Sequence, residues 1–138
     1  MRYRGLIFGL GVFTAIVVLL YWVLSLTGIY PVVELVPGYT VWFWSFPAPD
    51  FWIFVTSALM AIAVRTQRDV VAVVCGLLTA SSMIFLALNE LMFSFYTGMI
   101  CMPLSDIGID LAIKIYCLSV GSFFIKQFSW HIKESIKG

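Results

Sequence analysis

The sequence predicts an all-α integral membrane protein, an up-down bundle of four transmembrane helices in a single domain covering residues 1–138. Three observations lead there. The chain is 62% hydrophobic and only 11% charged, with a mean hydropathy of +1.06, whereas a water-soluble domain needs far more polar surface. Four apolar stretches each approach the roughly 20 residues that carry a helix across the hydrocarbon core. Lys and Arg collect at one end of these stretches and acids at the other.

Segment one covers about residues 5–27, and nothing charged occurs between Leu6 and Leu26. A basic start before an apolar run also describes a secretory signal. This run exceeds the roughly 7–15 residues of a signal core, and no small-x-small cleavage site follows it, so a retained helix is expected. The connection 28–50 carries Pro31, Pro37, Pro47 and Pro49, with Tyr39, Trp42, Phe43, Trp44 and Phe46 clustered among them. Trp and Tyr favour the headgroup level, which predicts an interfacial loop. The alternative is a lid in which Trp42 and Trp44 cover a cavity and Glu34 or Asp50 reaches inward.

Segment two, 47–65, opens with Pro47 and Pro49, residues suited to a first helical turn, and Asp50 is placed to cap it. Arg65 and Arg68 stop it. Segment three, 69–96, follows Asp69 and is interrupted by Asn89 and Glu90. Segment four, 105–128, begins at Ser105 and Asp106, where an acid satisfies free amides and favours the positive end of the helix dipole. Connections this short predict antiparallel neighbours. Small residues at four-residue spacing, Gly5 and Gly9, Ala72, Gly76 and Ala80, Cys117 and Gly121, predict close helix approach within the bundle.

Orientation follows from the basic residues in short connections. Arg2, Arg4, Arg65, Arg68, Lys126, Lys133 and Lys137 fall on one side if the segments alternate; Glu34 and Asp50 fall on the other, with Asp106 at its border. Both termini are therefore expected in the cytoplasm, with the tail from Trp130 to Lys137 against anionic headgroups.

Chemistry is expected inside the bilayer. Asp106, Asp110, Lys114, Cys117 and Gly121 recur every three or four residues, which puts them on one helical face. An acid one turn before a lysine is the favourable order for an intrahelical pair, as in Asp110 and Lys114. At about 1.5 Å per residue Lys114 lies roughly 12 Å below Asp106, and Glu90 roughly 10 Å below the outer end of its own segment. Glu90, Asp110 and Lys114 should then meet, flanked by Asn89, with Ser94 and Thr97 continuing the polar track outward. Two carboxylates against one lysine leave negative charge in low dielectric, which a proton or cation must balance. Ionisable residues inside a membrane mark functional sites, so the reading is a small protein that binds or transports a proton, cation or small polar ligand. The alternative is a salt-bridged network that only fixes helices, in an accessory subunit of a larger membrane complex or a homo-oligomer.

Cys75, Cys101 and Cys117 form no Cys-x-x-Cys pair, which weakens thiol redox chemistry. Met99, Cys101 and Met102 offer soft ligands for Cu(I) but are also ordinary fillers of an apolar surface. Lone His131 cannot supply two haem ligands. With no phosphate loop, serine nucleophile motif or paired metal spacing, no cofactor is predicted, and an enzyme would have to rely on Glu90, Asp110 and Lys114. A net charge of +1 rules out a nucleic-acid surface.

Overall fold

The computed structural model describes residue 1 and residues 3–137; Arg2, counted above among the basic residues, and the side chain of Lys137 lie outside it. All regular structure among the described residues is helical. It comprises α1 (Arg4–Leu26), α2 (Tyr39–Phe43), α3 (Pro47–Arg65), α4 (Asp69–Tyr96), a 3-10 turn (Met99–Cys101) and α5 (Leu104–Lys137). Four stretches, Arg4–Leu26, Tyr39–Arg65, Asp69–Tyr96 and Leu104–Ile136, are long and apolar enough to cross a membrane.

Local chemistry sets the ends. Gly28 and Gly98 follow the last residues of α1 and α4 with left-handed φ of 73° and 74°, the conformation that closes a helix and that glycine adopts without strain. Pro47 begins α3 at a position where no backbone donor is lost. The last helix does not stop near 128 but continues to Lys137. Its 34 residues span about 51 Å at about 1.5 Å each, well beyond a hydrocarbon core of about 30 Å.

The long helices pack in chain order, α1 on α3, α3 on α4 and α4 on α5. Small residues allow this. A Cβ on Gly11 would meet the Met60 methyl, and one on Gly121 would meet Ile84 and the Ala80 carbonyl. A Cβ on Gly76 would fall 2.0 Å from the Phe128 ring. Gly5 and Gly9 have nothing within 4 Å of that position, so the expected packing pair at the start of α1 is not used, and Gly11 takes its place. The reason is rotational: Ile7, Gly11, Thr14 and Ala15 line the buried face of α1, and the other two glycines point away from it.

Each helix interface also holds a polar bond. Trp22 Nε1 donates to Asp50 Oδ2 at 2.9 Å between α1 and α3, and Thr79 donates to Thr56 at 2.9 Å between α4 and α3. Lys114 Nζ donates to Ser94 Oγ at 2.7 Å between α5 and α4, and the Thr14 and Tyr116 hydroxyls meet at 2.7 Å between α1 and α5. In an apolar surrounding such bonds add about 0.6–2 kcal/mol each to packing. At the opposite end from Asp50, Asp69 binds Arg4 at 2.6 Å and faces His131 Nε2 at 3.4 Å, drawing α1, α4 and α5 together.

Candidate functional site

Where α4 packs on α5, the Lys114 ammonium, Asp110 and Glu90 come together, with Asp50 of the neighbouring α3 in electrostatic range of Glu90. The i and i+4 positions on α5 bring Lys114 Nζ onto Asp110 Oδ2, and the same ammonium reaches Ser94 on α4. Ser94 in turn donates to the Glu90 carbonyl at 2.9 Å. Lys114 is 5% exposed, so this pair and its serine hold the charge in place of water.

Glu90 stands beside this pair without joining it. Its Oε2 is buried and has no hydrogen-bond partner, although the carboxylate interacts electrostatically with Asp110, Lys114 and Asp50. The sequence-based expectation of a three-membered cluster is thus refined: Asp110 takes the lysine, and Glu90 is left over.

Asp50 is the second carboxylate in that condition. It lies within the first turn of α3 but is no cap; Phe46 occupies the cap position, and no side chain bonds there. Asp50 turns inward instead, 9% exposed, with Oδ2 on Trp22 and Oδ1 buried and unpartnered. Trp22 of α1 thus reaches Asp50 on α3, while Glu90 of α4 stands in electrostatic range of Asp50 and of the Lys114 and Asp110 pair of α5.

Aromatic rings close this end. Trp42 of α2 stacks on Phe93 of α4 at 4.1 Å and 12°, and meets Phe46 edge-on at 4.6 Å. Phe43 packs against Trp22 at 5.3 Å and Tyr21 at 6.0 Å. Phe93 is one turn beyond Glu90, so α2 roofs the carboxylates. Trp44 sits at the rim, 42% exposed, with its ring 6.1 Å from that of Trp22.

The other residues singled out above lie apart. Glu34 does not reach inward. It is exposed and accepts from Gly38 N at 2.6 Å, from Thr40 N at 2.8 Å and from the Thr40 hydroxyl, organising its own turn. The Thr40 hydroxyl, then the backbone amides, hold its carboxyl below the usual range. Asp106 is exposed and accepts from Ser105 Oγ at 2.9 Å. Asn89 is exposed and faces outward, lining a groove of about 440 Å³ between α3 and α4 with Ser45, Trp52, Ser81, Ser82 and Phe85. Successive helical residues point about 100° apart, so Asn89 presents a different face of α4 from Glu90.

Of the sulfur residues, Met99 is buried, Met102 half-buried and Cys101 exposed and free. Among the described residues no group of three or more His, Cys, Asp or Glu is placed to hold a metal ion. Sequence reading missed Trp22 and Tyr21, which sit inside an unbroken apolar run and differ from their neighbours only in carrying a polar tip. Comparison of the chain with protein-family models, curated proteins and solved structures finds no match.

Proposed function

We propose that the chain is an integral membrane protein, an up-down four-helix bundle with both termini cytoplasmic, whose interior acidic site near the outer side binds or transports a proton, cation or small polar ligand. One observation carries the reading. The Lys114 ammonium is spent on Asp110 and Ser94, and the Glu90 carboxylate beside it retains a buried, unpartnered oxygen. Burying an unmatched charge is costly, and intramembrane acids are kept where they serve a ligand or ion. The exposed apolar side chains along the helices, Ile16 and Leu20 on α1, Ile62 on α3, Phe85 on α4 and Ile115 on α5 among them, suit acyl chains. The basic ends of the connections set the orientation.

The test is thermal unfolding of the purified protein across sodium, potassium, ammonium and pH, for the natural chain and Glu90→Gln. A stabilisation present in the natural chain and absent in the variant, with membrane insertion unchanged, supports the reading. Equal stabilisation of both overturns it.

A second reading has its own observation. Asn89, Ser81 and the α3–α4 groove place polar groups on an outward face, where another transmembrane helix would satisfy them better than lipid. On this reading the chain is an accessory subunit or a homo-oligomer. Sizing in a native detergent, with a stable stoichiometric partner or a second copy lost in Asn89→Leu, supports it; a monomer unaffected by the substitution excludes it.

A further inference from the structure

The second reading just given leaves the partner open, and the inference here rests on it and on one orientation shared by all copies in the bilayer. Leu78, Ser82, Phe85, Asn89, Met92 and Tyr96 of α4 recur at alternating intervals of four and three residues. That interval follows the repeat of about 3.5 residues by which two helices pack along a continuous seam. The rest of the chain leaves the seam open: Ser82 is half-buried and the other residues are exposed.

Two polar side chains on the seam have nothing to bond. Among the described residues neither the Asn89 carboxamide nor the Ser82 hydroxyl has a hydrogen-bond partner, and both line the α3–α4 groove, whose walls carry no charged side chain. At about 1.5 Å per residue, Asn89 lies roughly 10 Å and Ser82 roughly 21 Å below the outer end of α4. Headgroups do not reach Ser82, at the middle of the helix Asp69–Tyr96. In lipid such groups are satisfied by another helix.

The partner that fits is a second copy. Copies inserted in one orientation present α4 in parallel and at one depth, so across a two-fold axis along the membrane normal each seam residue faces its own counterpart. A carboxamide both donates and accepts, and so does a hydroxyl. Asn89 and Ser82 therefore each find a match in themselves. A charged seam would repel its own copy, whereas this one holds no charge. A single Asn in an apolar seam also fixes the register of a parallel pair. Phe85, 72% exposed, projects between the two polar positions and supplies apolar contact.

We propose that this face of α4 is a self-association surface on which two copies pair in parallel, Asn89 bonded to the Asn89 of the second copy.

Energy transfer between donor- and acceptor-labelled full-length protein in liposomes, followed as lipid dilutes it, tests this. The natural chain should form a saturating dimer. Asn89→Leu should raise its dissociation constant about 3–30-fold, the equilibrium equivalent of one hydrogen bond between helices in lipid, and Asn89→Gln should keep most of the affinity. Because Asn89 points out of the bundle, its unfolding midpoint should not fall on either substitution. With Cys101→Ser as background, Phe85→Cys should give a disulfide-linked dimer on oxidation, and Ile16→Cys on the lipid face of α1 should not.

A dimer that keeps full affinity in Asn89→Leu, or that cross-links through Ile16→Cys instead, overturns the seam. A natural chain that stays monomeric but sizes with a different polypeptide, lost in Asn89→Leu, overturns self-pairing and leaves the accessory-subunit reading standing. A chain that is monomeric in liposomes and without any partner in native detergent overturns both.

Discussion

Replacing Lys114 by Met removes the ammonium that neutralises Asp110, and the structure sets how far the loss should go. Lys114 and Asp110 side chains are 6% and 16% exposed, so the orphaned carboxylate cannot recover water. Breaking a buried pair from one side costs about 3–5 kcal/mol. Asp110→Asn breaks the same pair from the other side but should cost less, because Glu90 stands in range of Lys114 with an unpartnered oxygen and can accept from it. Replacing both partners, as in Lys114→Met with Asp110→Leu, should recover most of the loss, since a buried pair exchanged for apolar groups is often near neutral. The double-mutant cycle of Lys114→Met and Asp110→Leu should therefore show a coupling of about 3 kcal/mol or more, at the top of the range for contacting residues. Reversible unfolding in mixed micelles of the natural chain, Lys114→Met, Asp110→Leu and their combination closes the cycle, with Asp110→Asn measured beside them. Additive losses, or an Asp110→Asn cost equal to that of Lys114→Met, would refute the assignment of the lysine to Asp110 with Glu90 held in reserve.

Three further outcomes follow from single contacts. Gly76→Ala forces its methyl into the Phe128 ring, which is fully buried, and should destabilise by about 1–3 kcal/mol; combining it with Phe128→Leu should return part of that in the same unfolding assay. Trp22→Phe leaves Asp50 with neither oxygen bonded and should cost about 1–3 kcal/mol, read as a lower unfolding midpoint. Glu34 has its carboxyl held below the ordinary range by Thr40 and the amides, so its contribution to the α2 turn is fully present above that range and lost as pH falls through its lowered value. Fluorescence of Trp42, stacked on Phe93, should change on acidification, and Glu34→Gln should abolish that acid transition; a transition that persists in the variant assigns it to another group.

Apolar length and its charged stops made the four long helices readable. A span of about 20 apolar residues has few other uses, and Arg65, Arg68 and Asp69 mark the α3–α4 turn. The i, i+4 rule likewise made the Asp110 and Lys114 pair readable, since it is a property of one helix. What escaped depends on other helices. An acid in the Pro-rich start of α3 looks like a cap, and only the approach of Trp22 from α1 reveals that Asp50 faces inward. Asn89 and Glu90 are neighbours in sequence, and nothing local decides which of the two turns to the core. The extension of α5 to Lys137 escaped because hydropathy marks where a helix leaves lipid, whereas the helix itself ends where its backbone bonds end.

The placement of the site depends on the four helices crossing a bilayer with their basic ends together, and the native cysteines give a direct check. Cys101 is exposed in the turn before α5, while Cys75 and Cys117 are buried and should stay silent. In sealed membrane vesicles an impermeant maleimide should reach Cys101 from one side only, and cysteines introduced at Tyr3 and Ser135 only from the other. Labelling of Cys101 from the same side as either terminal position would contradict the account.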